Sequence, residues 1–295
     1  MESAYEYYDF ITYIADRDSP GCADGVKGTL MSLIHEMKAL DEDPNSQVQL
    51  SEIAKEFGVC PKTIPSYIKT AESLAQKFAV KAAGRYSNTN MDYYPPGPDT
   101  LFIQDCKEFQ NATATPRERM RNFLIGAAKT DQESDCYDLG GGKNPAKDDD
   151  SGRMWDILCC YLAPVMGQSE KSMFPYQEFD PEGDIKDCKK EFGITMDPSH
   201  MVRDFKFSYD YLKKQSNILL TNGLNDGWGA LSYHEDLSDK VVVLNFENGA
   251  HHSELLHIWT PEDNQDTPDI LQGHDDIIAI LGQWLDEIKA KKAHV

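Results

Sequence analysis

Two short apolar runs near the C-terminal end are the sharpest features of the hydrophobic pattern. Ile218-Leu219-Leu220 leads into Thr221-Asn222-Gly223-Leu224-Asn225-Asp226-Gly227-Trp228, and Val241-Val242-Val243-Leu244 leads into Asn245-Phe246-Glu247-Asn248-Gly249-Ala250-His251-His252. Aliphatic and β-branched runs that stop at Asn and Gly predict buried strands of a mostly parallel sheet. After residue 205 the texture is strand, loop, strand, loop, helix. The closing helix is predicted over 275–289, with Ile277, Ile278, Ile280, Leu281, Trp284, Leu285 and Ile288 as its inner face.

The first two thirds of the chain have a different period. Leu30, Leu33, Ile34 and Met37 fall at i, i+3, i+4 and i+7, one apolar stripe of a helix. Helical periodicity holds from 22 to about 80, with Ile53 and Phe57, then Ile64, Tyr67 and Ile68, on shorter helices. Tyr94-Pro95-Pro96-Gly97-Pro98 breaks the pattern. A helix over 116–127 has Pro116 in its first turn. Residues 136–152 form a Gly/Asp/Lys loop, and 153–163 predict a buried helix or strand. A short helix ends at Phe192-Gly193.

Composition narrows the function classes. The 295 residues carry 50 acidic against 29 basic side chains, a net charge of −21. Affinity for phosphate backbones comes from Lys and Arg, so nucleic acid is not an expected partner. The acidity suits a protein working at mildly acid pH. A hydrophobic share of 40% makes the chain globular. No apolar run is long enough for a membrane span, so no membrane partner is expected. The head of the chain has neither the basic residue nor the apolar stretch of a signal peptide. Seven cysteines at no metal-like spacing, with the sequon Asn111-Ala112-Thr113, point to the secretory pathway and a glycan on Asn111.

Two motifs are decoys. Gly140-Gly141-Gly142-Lys143 is followed by Asn144 instead of Ser or Thr, and Asp148-Asp149-Asp150 would repel phosphate. Residues 50–64 resemble a DNA-binding helix-turn-helix, with Ala54 and Gly58 at its packing and turn positions. Pro65 inside the would-be recognition helix, and the acidity of the chain, favour two plainly packed helices.

The chemistry lies at the strand ends. A carboxylate (Asp226) after one strand and a histidine (His251) after the next give the Asp…His part of a triad in the chain order Ser…Asp…His. No Gly-x-Ser-x-Gly occurs in the sequence. A zinc site from His251, His252 and His257 is disfavoured, because adjacent histidines on an extended chain face opposite sides. No metal or other cofactor is expected, and if the chain is extended there His252 points away from the pair, a supporting neighbour and not a member of it.

Asn222-Gly223-Leu224-Asn225-Asp226-Gly227-Trp228 resembles an N-G-x-x-D-x-W motif, and Gly249-Ala250-His251-His252 a G-A-H-H motif. Both are those of the prolyl serine peptidases, the family of lysosomal Pro-X carboxypeptidase, dipeptidyl peptidase II and their fungal relatives. The head of the chain, Ser3-Ala4 through Asp9-Phe10, resembles the segment that follows the family's nucleophile strand and helix, and 50–60 resembles its helical insertion. The resemblance spans nearly the whole chain, specific at the two C-terminal motifs and loose between. It implies an α/β fold, the C-terminal part of an α/β-hydrolase with a large helical cap insertion. Residues 1–8 would be a remnant of the core, 9–205 the cap, and 206–295 the core carrying Asp226 and His251.

The same resemblance implies a serine-type exopeptidase that cleaves proline-containing peptides beside proline, secreted or vacuolar/lysosomal. Cys160 and Cys188 match its cysteine pair, which implies a disulfide and leaves an odd cysteine such as Cys159 unpaired. Its W-x-Y-Q-x-C motif keeps Trp155 and Cys160, but Ile157 and Leu158 replace Tyr and Gln. The nucleophile elbow, the oxyanion-hole residues and the first strands have no counterpart, which predicts an exposed sheet edge and a chain inactive alone. The alternative is a non-catalytic remnant that binds peptides or a partner.

Overall fold

A computed structural model describes residues 5–140, 150–162, 167–178, 180–197, 199–206, 208–255 and 266–293. The chain divides into two units, Met1–Thr89 with Leu101–Asp197, and Asn90–Thr100 with Pro198–Val295.

The first unit is helical. It holds α1 (Glu6–Asp18), α2 (Cys22–Glu42), α3 (Leu50–Glu56), most of α4 (Ala71–Met91), α5 (Leu101–Gln110), α6 (Pro116–Asp131), α7 (Asp150–Leu162) and α8 (Pro181–Phe192). Local chemistry sets the ends. Thr115 and Glu118 form a reciprocal capping box ahead of Pro116 at the start of α6. Asp180 caps α8, and Gly193 closes it with φ 70°, a left-handed conformation that costs glycine little.

The core of this unit is aromatic. Tyr86 of α4 packs its ring against Phe102, Phe109, Phe123 and Phe174, at centroid distances of 5.8, 6.3, 6.1 and 5.8 Å. Beside it Arg85 forks onto Asp105 at 2.7 and 2.9 Å and reaches Asp131 at 2.6 Å. Burial pushes the Asp105 carboxyl up to about 6, against the pull of Arg85. Disulfides join Cys22 to Cys106, Cys60 to Cys136 and Cys160 to Cys188, and Cys159 is free.

The second unit takes the end of α4 and then α9 (His200–Asp204), α10 (Tyr209–Leu212), β1 (Ile218–Gly223), β2 (Val241–Phe246) and α11 (Pro268–Ala293). The strands pair in parallel, Ile218 with Val241 through Gly223 with Phe246. Helix α11 lies against β2 at Gly273, where a Cβ would fall 1.9 Å from the Phe246 ring.

Five expectations are corrected. The strands are only half-buried, because among the described residues the sheet has two strands and one helix against it. No helix carries Ile64, Tyr67 and Ile68. A 3₁₀ turn at Pro61–Thr63 ends at Ile64, whose ψ of 121° is the extended conformation forced ahead of Pro65. The second helix of the packed pair over 50–64 is therefore absent too. Helix α7 forms but is not buried, since Met154, Trp155, Leu158, Tyr161 and Leu162 are exposed and, among its residues of described burial, Cys160 alone is fully covered. Helix α11 buries Ile270 and Trp284 but leaves Ile278, Leu281, Leu285 and Ile288 exposed.

Candidate active site

The site is built where β1 and β2 end together. Past Gly223 and Phe246 the ladder gives way to loop-to-loop bonds, with Leu224 N–H donating to Phe246 O at 2.9 Å and Asn225 N–H to Gly249 O at 2.9 Å. Two glycines permit this approach. A Cβ on Gly223 would sit 2.4 Å from the Ala250 carbonyl oxygen, and one on Gly249 3.0 Å from the Gly223 Cα. Any larger residue at 223 would push the two loops apart.

That closeness brings Asp226 and His251 together. Asp226 divides its carboxylate between two tasks. Oδ1 accepts the Trp228 N–H at 3.0 Å, capping the 3₁₀ turn Gly227–Leu231, and Oδ2 faces His251 Nδ1 at 2.8 Å. The cap fixes the carboxylate rotamer, so its second oxygen is aimed before any ligand arrives. Asp226 is buried and the imidazole partly open. Among the described residues no hydrogen bond engages His251 Nε2, which leaves that nitrogen for an incoming group.

The histidine loop is fixed from its own side. Ala250 N–H donates to Ser253 Oγ at 2.9 Å, and Asn248 donates through its backbone and side chain to Asp269 at 2.9 and 3.0 Å. Burial alone would raise the Asp269 carboxyl, but the donors from Asn248 and Thr267 outweigh it and hold it below its usual range.

His252 departs from expectation. Its φ of 60° shows that the chain is not extended there, so the ring does not point away but lies on that of His251 at 3.7 Å between centroids, still a neighbour of the pair. His257 lies outside the described residues, as do Ser3, Ala4 and 141–149.

A cavity of about 190 Å³ opens on the pair, lined by Thr221, Asn222, Trp228, His251, His252 and Glu254. It is smaller than the usual pocket for a whole ligand, roughly 300–1,000 Å³.

Residues that sequence reasoning missed are Asn90, whose side chain meets the backbone around Asp226, and Met91, whose carbonyl accepts the His251 N–H at 3.1 Å. Both lie far from the motifs in sequence, in an ordinary polar helix end. The one free thiol, Cys159, is in the other unit beside Asp156 and Asp184. Burial first, then those two negative charges, push it up, which disfavours the reactive thiolate.

A parallel strand pair with an acid–histidine couple at its carboxyl edge fits the hydrolase class, and comparison with known proteins carries it further. The model of the family Serine carboxypeptidase S28 matches residues 2–277, and the chain belongs to that family of peptidases, which implies an α/β-hydrolase-like fold. Among curated proteins it is similar to the lysosomal Pro-X carboxypeptidase of Mus musculus, 27% identical over 103 residues, 34% of this chain and 21% of that protein. The Bos taurus counterpart is 24% identical over 103 residues, 34% of this chain and 20% of the relative. The matched stretch thus spans about a fifth of each relative's length.

Proposed function

We propose that Asp226 and His251 are the acid and base of a Ser–His–Asp triad in a serine exopeptidase that cleaves peptides beside proline. The observation that carries this reading is the 2.8 Å contact of His251 Nδ1 with Asp226 Oδ2, at the end of adjacent parallel strands in a chain of the S28 family. In this mechanism His251 Nε2 takes the proton of the serine hydroxyl as the oxygen attacks the scissile carbonyl, then returns it to the leaving amine. Asp226 holds the Nδ1–H, which fixes the tautomer and stabilises the imidazolium. Water then hydrolyses the acyl-enzyme by the same relay. The chemistry calls for no cofactor.

The nucleophile is proposed to lie outside these 295 residues, since they contain no Gly-x-Ser-x-Gly and Cys159 is poorly suited to the role. On this reading the helical part is a cap and residues 206–295 belong to the hydrolase core. Three disulfides and the lysosomal relatives support a secreted or lysosomal route. Asn111 is exposed and is proposed to carry a glycan. No described helix is long and apolar enough to cross a membrane. The missing elbow motif also favours a second reading, a pseudoenzyme that binds peptides without cleaving them.

The experiment compares the 295-residue chain with the protein isolated from its source. The isolated protein should label with a fluorophosphonate and hydrolyse a peptide with a penultimate proline, while the 295-residue chain should do neither. Labelling of any serine within residues 1–295 would overturn the placement of the nucleophile. An isolated protein that binds the peptide but neither labels nor cleaves would establish the pseudoenzyme.

A further inference from the structure

We propose that Asn90 is the positioning residue of the Asp226–His251 pair, an inference that rests on the triad reading above. Asn90 is the penultimate residue of α4 and is fully buried. Its Nδ2 donates to the Asn225 carbonyl at 2.8 Å, and its Oδ1 accepts the Gly227 N–H at 2.8 Å. The side chain therefore grips the backbone on both sides of Asp226 at once. That takes a donor and an acceptor a short distance apart on one planar group, which a primary amide supplies and a carboxylate or hydrocarbon does not.

The neighbouring residue extends the grip to the other loop, since Met91 O accepts the His251 N–H at 3.1 Å. Two consecutive residues at one helix end thus hold the two segments whose side chains meet. The Asp226 carboxylate is already oriented by its own cap on Trp228. What Asn90 adds is the position of the backbone that carries it. A buried asparagine needs partners somewhere, and any pair of backbone groups would satisfy it. Here the two groups bracket the acid, so a shift of this side chain moves Asp226 relative to His251.

Proton NMR of the 295-residue chain tests the assignment, reading the downfield resonance of the proton between His251 Nδ1 and Asp226 Oδ2. The wild type should show it and Asp226→Ala should lose it. Asn90→Ala should lose it as well, while far-UV circular dichroism and the amide resonances of β1 and β2 stay in place. Asn90→Asp keeps the acceptor for Gly227 but turns an oxygen towards the Asn225 carbonyl, so it should broaden or shift the same resonance. Should Asn90→Ala fail to fold, this near-isosteric variant carries the test. Folded Asn90 variants with an unmoved resonance overturn the proposal and leave Asn90 an ordinary core amide. A wild type without the resonance, or Asp226→Ala retaining it, overturns the Asp–His coupling itself, and the proposal with it.

Discussion

The two units hold themselves together by different means. In the helical unit three disulfides, a cluster of stacked aromatic rings and a buried guanidinium fork fix the packing. The unit with the strands shows no disulfide among its described residues, and its strands are half-buried. Its order near the candidate site comes from loop hydrogen bonds, two touching glycines and one buried amide. The difference teaches where fragility lies. Cross-links and aromatic burial tolerate the loss of a single hydrogen bond, whereas a site built from backbone approach depends on single atoms.

The largest effect should come from cutting a cross-link. Replacing Cys22 and Cys106 by alanine opens a loop of 84 residues. The chain-entropy model puts the loss at about 4.5 kcal/mol. Hydrogen exchange read by mass spectrometry should show faster exchange across α2 and α5 and little change in β1 and β2. Faster exchange in the strands instead would end the idea that the units differ in what stabilises them.

Next come paired truncations. Phe123→Ala removes a ring buried against Tyr86 and Phe109, with an expected cost of about 3–5 kcal/mol in urea unfolding. Leu285→Ala on α11 removes a side chain 57% exposed and should change stability by less than about 0.5 kcal/mol. Equal losses would mean that α11 is covered in solution.

Gly223→Ala sharpens the comparison at the site. Its methyl would press on the Ala250 carbonyl oxygen at 2.4 Å, and forcing such a group into a packed spot costs about 1–3 kcal/mol. The measurement is amide exchange at 249–252, which should quicken with the helical unit unaffected.

A pH slope confined to the helical unit sharpens the comparison further. Asp105 is raised from 3.8 to about 6, so the folded state binds its proton more tightly than the unfolded chain. Its contribution is therefore fully present below 3.8 and is lost as pH rises through about 6. Unfolding midpoints for this unit should increase as the solution is acidified across that window. Asp105→Asn should flatten the slope.

What the sequence revealed was what local pattern encodes. The strands, their parallel pairing and the juxtaposition of Asp226 with His251 could be read because each lies in a short apolar run ending at Asn and Gly. Helix α11 starts at Pro268, earlier than 275, and the added first turns carry Gly273, its contact with Phe246. The apolar run at 153–163 and the apolar stripe of α11 were both legible, but a run or a stripe cannot tell whether anything covers it. The His252 turn was hidden because a left-handed residue other than glycine leaves no mark in composition. Asn90 was invisible for a different reason. Its partner Asn225 is 135 positions away, and no spacing rule reaches that far.

The stripe of Ile278, Leu281, Leu285 and Ile288 also sets the colloidal behaviour of the molecule. At neutral pH a net charge of −21 keeps neighbouring molecules apart despite that adhesive strip. Salt shortens the reach of this repulsion from ~10 Å at 0.1 M to ~3 Å at 1 M, and titration towards the isoelectric point near 4.7 removes it. Concentrated stocks should therefore stay clear in dilute neutral buffer and scatter light as either limit is approached. Replacing Ile278 and Leu285 with glutamate should abolish the turbidity brought on by salt.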